Sequence, residues 1–322
     1  MCKISTNEKY MRRCLQLASC GRENAKPNPM VGAVIVHDGR IIGEGYHVRC
    51  GEGHAEVNAF ASVKPGDEAL LADSTMYVSL EPCSHYGKTP PCCDLIISKG
   101  VRHVVVGCVD PFAKVSGRGI QRMRDAGIEV EVGVLEDECL ELNRKFITFN
   151  TEHRPYIILK WCTTANGFLD DNCHGTALSN AFTKMLSHKL RAENDAILVG
   201  RTTAERDCCK LNVREWWGKD PMRLVIDSTK PCFDGLDFSA PVLPQIMGEL
   251  YERKVQSLIV EGGAITHRHF LDTGLWDEIR IETSQKYVTG GTRAPQLPEN
   301  VRLKEQKVFN GNIITLYRKA AK

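Results

Sequence analysis

The chain has 322 residues, of which 42% are hydrophobic and 25% are charged, and its formal net charge is +2. This length exceeds what one hydrophobic core usually supports, so the sequence predicts two domains. The near-neutral charge disfavours proteins that bind nucleic acid or membranes through a broad positive field. No secretory signal or membrane-length apolar run is visible, and we expect a cytoplasmic protein with reduced cysteines.

The N-terminal half has the pattern of an α/β domain, predicted over residues 1–150. A helix is followed by a hairpin and then by alternating helices and strands. In chain order these elements are predicted at 7–19, 31–36, 40–46, 54–63, 75–80, 91–98, 101–107, 119–126, 128–134 and, as one long helix, 136–149. Ser5 or Thr6 is expected to cap the first helix, and Asp38-Gly39 to turn the hairpin.

A second α/β series follows the boundary at His153-Arg154-Pro155 and is predicted over residues 151–322. The last strands form a hairpin that turns at Asn310-Gly311. The predicted elements are strands at 156–162, 196–200, 222–227, 257–260 and 277–283, a helix at 180–192, and the hairpin at 304–317. Cysteines scattered through both halves are expected to be small core residues: Cys14, Cys20, Cys108, Cys139 and Cys162.

Three side chains in the first half have the chemistry of a zinc site. His54 opens a predicted helix, Cys83 follows a predicted strand, and Cys92 opens the next helix. One imidazole and two thiolates suit zinc. Three protein ligands leave a fourth position for water, which is typical of a catalytic site, and zinc lowers the pKa of that water to about 7.

Glu56 stands two residues after His54, which is well placed to carry protons above the metal. The pattern corresponds to the H-x-E and P-C-x-x-C signature of zinc deaminases, except that eight residues separate Cys83 from Cys92. The plainer interpretations are a structural histidine at a helix start and cysteines buried in the core. Cys93 is interpreted as such a core neighbour, with Cys92 as the ligand.

Longer motifs resemble the bifunctional riboflavin-biosynthesis deaminase–reductase family. They are Pro-Asn-Pro-Met-Val-Gly at 27–32, His54-Ala55-Glu56, and Glu-Pro-Cys-Ser-His-Tyr-Gly-Lys-Thr-Pro-Pro-Cys at 81–92. The resemblance implies a cytidine-deaminase-like three-layer α/β/α domain and a dihydrofolate-reductase-like α/β domain. It implies zinc-dependent deamination of a diaminopyrimidine ribosyl phosphate, followed by NADPH-dependent reduction of the ribosyl group to ribityl.

The resemblance also implies roles for individual residues. In the first domain, His54, Cys83 and Cys92 would bind zinc, and Glu56 would be catalytic. The implied substrate contacts there are Asn28, His47, His85 and Lys88. In the second domain, the implied substrate contacts are Arg191, Leu211, Arg214 and Glu261, and the implied NADPH contacts are Ala165, Thr203, Asp207, Ser228, Gly262 and Gly263. An arginine fork suits a substrate phosphate, and paired glycines allow backbone to approach one.

The second domain departs from the family pattern. Asp207-Cys208-Cys209-Lys210 replaces a proline-containing turn, Ala177 replaces a tryptophan, and the stretches at 170–179 and 228–241 are short. The expected reductase domain is therefore shortened. A monofunctional deaminase with a non-catalytic second domain is the alternative. A nucleic-acid base deaminase and a non-catalytic zinc module are the other classes considered, and self-association into a homo-oligomer is a further expectation.

Overall fold

The computed structural model describes residues 5–86, 90–111, 116–207 and 209–320. The chain separates after residue 151 into two compact units, here the N-terminal unit and the C-terminal unit. Each has its own sheet and its own hydrophobic core. Within the described residues, no helix is long and apolar enough to cross a membrane.

A five-stranded mixed sheet forms the centre of the N-terminal unit, in the order β2-β1-β3-β4-β5. Its strands are β1 (Gly32–His37), β2 (Arg40–Tyr46), β3 (Thr75–Val78), β4 (His103–Val106) and β5 (Glu129–Val132). β1 runs antiparallel to β2 and β3, whereas β3, β4 and β5 are parallel. Val104 and Val106 of β4 belong to one core cluster, and Val105 to the other. Both faces of the sheet are therefore covered, as parallel strands require.

Helices on the two faces complete the expected three-layer arrangement. They are α1 (Thr6–Ser19), α2 (Ala55–Ala61), α3 (Cys92–Ser98), α4 (Arg118–Asp125), α5 (Glu136–Leu142) and α6 (Arg144–Glu152), with a 3-10 helix at Pro65–Asp73. Ser5 caps α1, because its side chain accepts a hydrogen bond from the Glu8 amide. α1 and α5 contribute Met11 and Cys139 to one core cluster, while α2, α3 and α4 contribute to the other.

The single helix predicted at 136–149 was wrong, because two helices meet at Asn143. The hydrophobic spacing continues through this point and conceals the break. The Asn143 side chain accepts a hydrogen bond from the Met30 amide and donates one to the Met30 carbonyl, both at 2.8 Å. This tertiary contact ends α5 and ties the helix junction to the loop before β1.

A seven-stranded sheet forms the C-terminal unit, in the order β11-β12-β10-β6-β9-β7-β8. Its strands are β6 (Tyr156–Thr163), β7 (Ala196–Gly200), β8 (Met222–Ile226), β9 (Ser257–Val260), β10 (Glu278–Thr283), β11 (Val301–Phe309) and β12 (Asn312–Lys319). β6 to β10 are parallel, and β11 and β12 form an antiparallel hairpin. The predicted turn is confirmed, since Asn310 and Gly311 have φ values of +49° and +88°.

Four helices accompany this sheet: α7 (Ala181–Ala192), α8 (Arg201–Asp207), α9 (Val242–Glu252) and α10 (Ala264–Asp272). Only α7 was predicted as a helix with bounds, and Asn180 caps it by accepting from the Thr183 amide. α8 is a single short segment, and α9 contains Pro244 and Gly248, which weaken the sequence signal.

The cysteine predictions were partly right. Cys14, Cys108 and Cys139 are fully buried. Cys20 ends α1 and is exposed, so its prediction as a core residue was wrong. Cys162 is half-buried and contacts the polar side chains of Ser179 and Glu282 rather than an apolar core.

Candidate active sites

The three predicted zinc ligands lie together in the N-terminal unit. His54 stands at the N-cap position of α2, Cys92 is the first residue of α3, and Cys83 lies in the loop beyond β3. The His54 Nδ1 atom is 3.6 Å from the Cys83 Sγ atom and 3.4 Å from the Cys92 Sγ atom. Tetrahedral zinc bonded to nitrogen and sulfur separates such atoms by about 3.5 Å, so this donor set fits zinc.

The electrostatics of this cluster favour the thiolate of Cys83, whereas the hydrogen bond to Cys83 and burial raise the pKa of Cys92. Hydrogen bonding from the Cys92 thiol lowers the pKa of Cys83 despite burial, and His54 lowers it further. The backbone amide of Cys92, at the start of α3, also donates a 3.3 Å hydrogen bond to the Cys83 sulfur. Cys93 belongs to the hydrophobic core rather than to the donor group of His54, Cys83 and Cys92, and burial raises its pKa to about 11.

Glu56 lies in the first turn of α2 and is only 3% exposed. Burial raises its pKa to about 7, and the negative charge of Cys83 adds to this effect. A carboxyl group with a pKa near neutrality exchanges protons readily in both directions.

A chain of hydrogen bonds through Asn28, His47 and Gly53 lies beside the cluster. The Nδ1 atom of His47 is 3.2 Å from the Gly53 carbonyl, and its Nε2 atom is 3.1 Å from the Asn28 amide nitrogen. Since burial lowers the pKa of His47, its neutral ring donates from Nδ1 to Gly53 and accepts from Asn28 at Nε2. The His47 ring also packs edge-on against the His54 ring, with centroids 5.2 Å apart.

Of the other two predicted substrate contacts of this unit, only His85 lies within the described residues. His85 is exposed, on the loop between the two cysteine ligands. Lys88 lies outside the described residues. The roles of both residues stay predictions.

A cavity of about 1390 Å³ lies in the C-terminal unit, where the parallel strands β6, β7, β8 and β9 end. This position is the usual one for ligands on an open α/β sheet. Eight of the predicted contacts line it: Arg191, Thr203, Asp207, Leu211, Ser228, Glu261, Gly262 and Gly263. Ala165 and Arg214 are exposed and are not among the residues that line it.

An ion-pair cluster lies in the wall of this cavity. Arg191 donates a 2.7 Å hydrogen bond to Glu261, and the Lys160 ammonium lies 3.7 Å from the same carboxylate. Burial opposes ionisation of Glu261, but Lys160 and Arg191 outweigh it and hold its pKa below the usual value. Arg191 is also the predicted partner of a substrate phosphate, and beside its pairing with Glu261 that role stays a prediction.

Lys160 was not among the predicted site residues, although it lines the cavity. The sequence contained a signal for it, because a lysine within a largely apolar strand, here β6 (Tyr156–Thr163), must be buried with a partner. Arg201, Arg206 and His269 also line the cavity and carry groups suited to a phosphorylated ligand.

Two glycines form the strand-to-helix turn at the cavity, so no side chain covers the backbone there. Gly262 has a φ of +132°, which residues with a Cβ rarely adopt. The amide of Gly263 donates a 3.1 Å hydrogen bond to the Thr203 hydroxyl, and α10 starts at the next residue. Backbone without side chains at a helix N-terminus suits a dinucleotide phosphate, so these residues fit NADPH.

Comparisons with known proteins assign both units. A family model described as "Cytidine and deoxycytidylate deaminase zinc-binding region" matches residues 4–108, and "RibD C-terminal domain" matches residues 155–312. The riboflavin biosynthesis protein RibD of Aquifex aeolicus is 35% identical over 94% of this chain and 95% of its own length. The chain belongs to the RibD family. RibD of Synechocystis is 33% identical over 90% of this chain and 87% of its own length.

Solved RibD structures have the same two-domain fold. A Thermotoga maritima protein described as a diaminohydroxyphosphoribosylaminopyrimidine deaminase/5-amino-6-(5-phosphoribosylamino)uracil reductase is 34% identical, with a TM-score of 0.86. The match covers 98% of this chain and 99% of that one. RibD of Acinetobacter baumannii is 27% identical, with a TM-score of 0.85 over 99% and 100% of the two chains. The dihydrofolate-reductase-like prediction for the C-terminal unit is thereby confirmed.

Family membership confirms the predicted activity. The chain is a bifunctional deaminase and reductase of riboflavin biosynthesis, with zinc and NADPH as cofactors. Because both domains are present, a monofunctional deaminase is not favoured. The alignment with the Aquifex protein runs over 347 positions, more than the 322 residues of this chain, so that relative has segments with no counterpart here.

Proposed function

We propose that the N-terminal unit deaminates a diaminopyrimidine ribosyl phosphate and that the C-terminal unit reduces the ribosyl group of the resulting uracil. The donor geometry at His54, Cys83 and Cys92 carries the first assignment, because its spacings fit a tetrahedral ion with one free position. The activity described for the Thermotoga relative supports the same two substrates for this chain.

In the first reaction, water adds to the amino-bearing ring carbon, the carbon–nitrogen bond breaks, and ammonia leaves. Bound zinc would polarise the water and lower its pKa. Glu56 takes one proton from the water and gives it to the ring nitrogen, and then takes the second proton from the hydroxyl of the adduct and gives it to the departing amine. Its pKa near 7 suits both transfers.

Asn28 would orient the pyrimidine. Its amide nitrogen donates to His47, which leaves its Oδ1 atom as an acceptor for an N–H group on the ring edge. The His47–Gly53 hydrogen bond fixes the tautomer, and therefore the direction in which the Asn28 amide points. Substrate contacts from His85 and Lys88 belong to this proposal as well.

In the second reaction, bound NADPH would supply a hydride to the anomeric carbon of the ribosyl group, while the bond from that carbon to the ring oxygen breaks and the oxygen takes up a proton. Gly262, Gly263 and Thr203 would hold its phosphates, with Ala165, Asp207 and Ser228 as further cofactor contacts. The substrate would lie against Lys160, Arg191, Leu211 and Glu261, with Arg214 reaching its phosphate. The buried carboxylate of Glu261 is suited to accept hydrogen bonds from ribose hydroxyls, since its Oε1 atom has no hydrogen-bond partner among the described residues.

A two-step assay tests this function. Purified protein is given the diaminopyrimidine ribosyl phosphate, and ammonia release is measured before and after NADPH is added. We expect ammonia without NADPH, and NADPH oxidation only after deamination. Chelation of zinc should abolish ammonia release, while NADPH oxidation continues when the deaminated product is supplied directly. Ammonia release that is unaffected by complete zinc removal contradicts the assignment of the metal site.

We also propose that the enzyme works in the cytoplasm and self-associates. The twelve cysteines in the described ranges are free, and two thiol ligands to zinc are best preserved in a reducing compartment. Strand β11 lies at one edge of the second sheet, where Leu303 and Val308 are 59% and 68% exposed. Cell fractionation and sedimentation equilibrium test these two points.

A further inference from the structure

A second buried glutamate lies next to the metal centre, and the mechanism above does not use it. Glu81 is 4% exposed and stands two positions before Cys83. Its backbone amide donates to the Cys108 carbonyl at 3.0 Å, which continues the pairing between the segments that follow β3 and β4. Burial of a carboxylate needs compensation, so its hydrogen-bond partners reveal its role.

Backbone amides provide that compensation. One carboxylate oxygen accepts from the amides of Gly119 and Ile120, at 2.9 and 3.4 Å. The other accepts from Gly117 and Asp110, at 2.9 and 3.3 Å. The carboxylate thus satisfies amides in the first turn of α4, where a negative charge also complements the helix dipole.

The contact between α4 and the segment beyond β3 is too close for a side chain. A Cβ atom added at Gly119 would lie 2.1 Å from the Pro82 carbonyl oxygen. Pro82 is the residue between Glu81 and the ligand Cys83. The glycine and the carboxylate therefore act together to hold α4 against the backbone that carries this ligand.

The same helix reaches the other cysteine ligand. Arg122 of α4 forms a 2.8 Å ion pair with Asp94, which lies in the first turn of α3, two residues after Cys92. The Cys93 amide donates to the Cys83 carbonyl at 3.3 Å and closes the connection between the two ligand segments. Glu81, α4 and α3 thereby link Cys83 and Cys92 through one closed set of contacts.

From these contacts we infer that Glu81 is a positioning residue of the deaminase, which fixes the spacing of the two cysteine sulfurs by anchoring α4 to Pro82. It does not touch the substrate or the metal. The inference rests on the proposed ligation by His54, Cys83 and Cys92, and it adds a residue that acts only through their placement. Groups that orient metal ligands typically change metal affinity or activity by about 10- to 100-fold when they are replaced.

The test compares Glu81→Gln with wild type and with Glu129→Gln, a control at an exposed position on β5 of the same unit. A glutamine presents an NH2 group where the carboxylate accepted hydrogen bonds, while keeping its size. Three quantities are measured: zinc transfer to a chromophoric chelator, the visible absorption of the cobalt-substituted protein, and thermal unfolding. We expect zinc loss about tenfold faster in Glu81→Gln and a shifted cobalt–thiolate spectrum, with wild-type behaviour in the control.

A purely structural role would lower the unfolding temperature without changing the cobalt spectrum, and that result overturns the inference. If Glu81→Gln does not fold, Gly119→Ala decides, because it pushes α4 away from Pro82 while the carboxylate remains. A shifted cobalt spectrum in Gly119→Ala supports the inference, and a wild-type spectrum overturns it. Wild-type protein that takes up no stoichiometric metal would instead defeat the proposed function itself.

Discussion

Arg191 donates a 2.7 Å hydrogen bond to Glu261 across 70 positions of sequence, in the wall of the reductase cavity. With Lys160 at 3.7 Å, two cations share one buried carboxylate. Removing that carboxylate leaves both positive charges without this counter-charge. This lowers the free energy of unfolding by more than the ion pair itself contributes to it.

Glu261→Gln is therefore expected to lower the free energy of unfolding of the C-terminal unit by about 3 kcal/mol. Urea unfolding followed by tryptophan fluorescence measures it, because the four tryptophans lie at 161, 216, 217 and 276, within this unit. The matched control is Glu249→Gln, which breaks an exposed pair with Arg253 on α9 and should cost about 0.5 kcal/mol or less. Equal losses in the two variants would contradict the account of this cluster.

Two buried histidines make the stability of the same unit depend on pH. Burial lowers the pKa of His188 and of His267. Below the unfolded pKa of about 6.5, the unfolded chain therefore binds more protons than the folded chain. The free energy of unfolding should fall as the pH is lowered from 7.5 to 5.5, and the fall should be smaller in His267→Gln. The lowered pKa of Glu261 affects stability only in more acidic solution, below about pH 4.5. An unchanged pH slope in His267→Gln would show that this ring is not responsible.

Asn143 is expected to matter for substrate binding although it lies outside the metal cluster. Its two hydrogen bonds hold Met30, and Asn28 stands two residues earlier in the same loop. Asn143→Ala should loosen that loop and raise the KM of deamination by about tenfold or more, with the reductase rate unchanged. The control is Asn150→Ala, since the Asn150 amide donates to the Phe146 carbonyl within the same helix, α6. Steady-state kinetics of both steps, with KM and kcat separated, decide the point, and a wild-type KM counts against it.

The metal cluster was predictable because each ligand has a local signal. His54-Ala55-Glu56 and the two Pro-Cys pairs stand at element boundaries, where helix starts and strand ends bring side chains together. The layered fold was predictable for a similar reason, since short apolar runs such as Val104–Val106 alternate with helical spacing.

The rest depended on contacts that sequence spacing does not encode. The pairing of Arg191 with Glu261 joins α7 to the end of β9, and the sequence around either residue does not predict it. The break at Asn143 likewise depends on Met30, 113 positions away. Lys160 is the exception, because its burial could be predicted from the sequence: a lysine inside an apolar strand requires a buried partner.

The central claim is that Glu56 moves protons at a zinc site formed by His54, Cys83 and Cys92, and Glu56→Gln tests it most directly. Zinc content and ammonia release are measured on the same samples, with NADPH oxidation of the deaminated product as an internal control. We predict one zinc per chain, ammonia release lowered by at least about 100-fold, and an unchanged reductase rate. Wild-type ammonia release from a zinc-loaded Glu56→Gln enzyme would contradict the account.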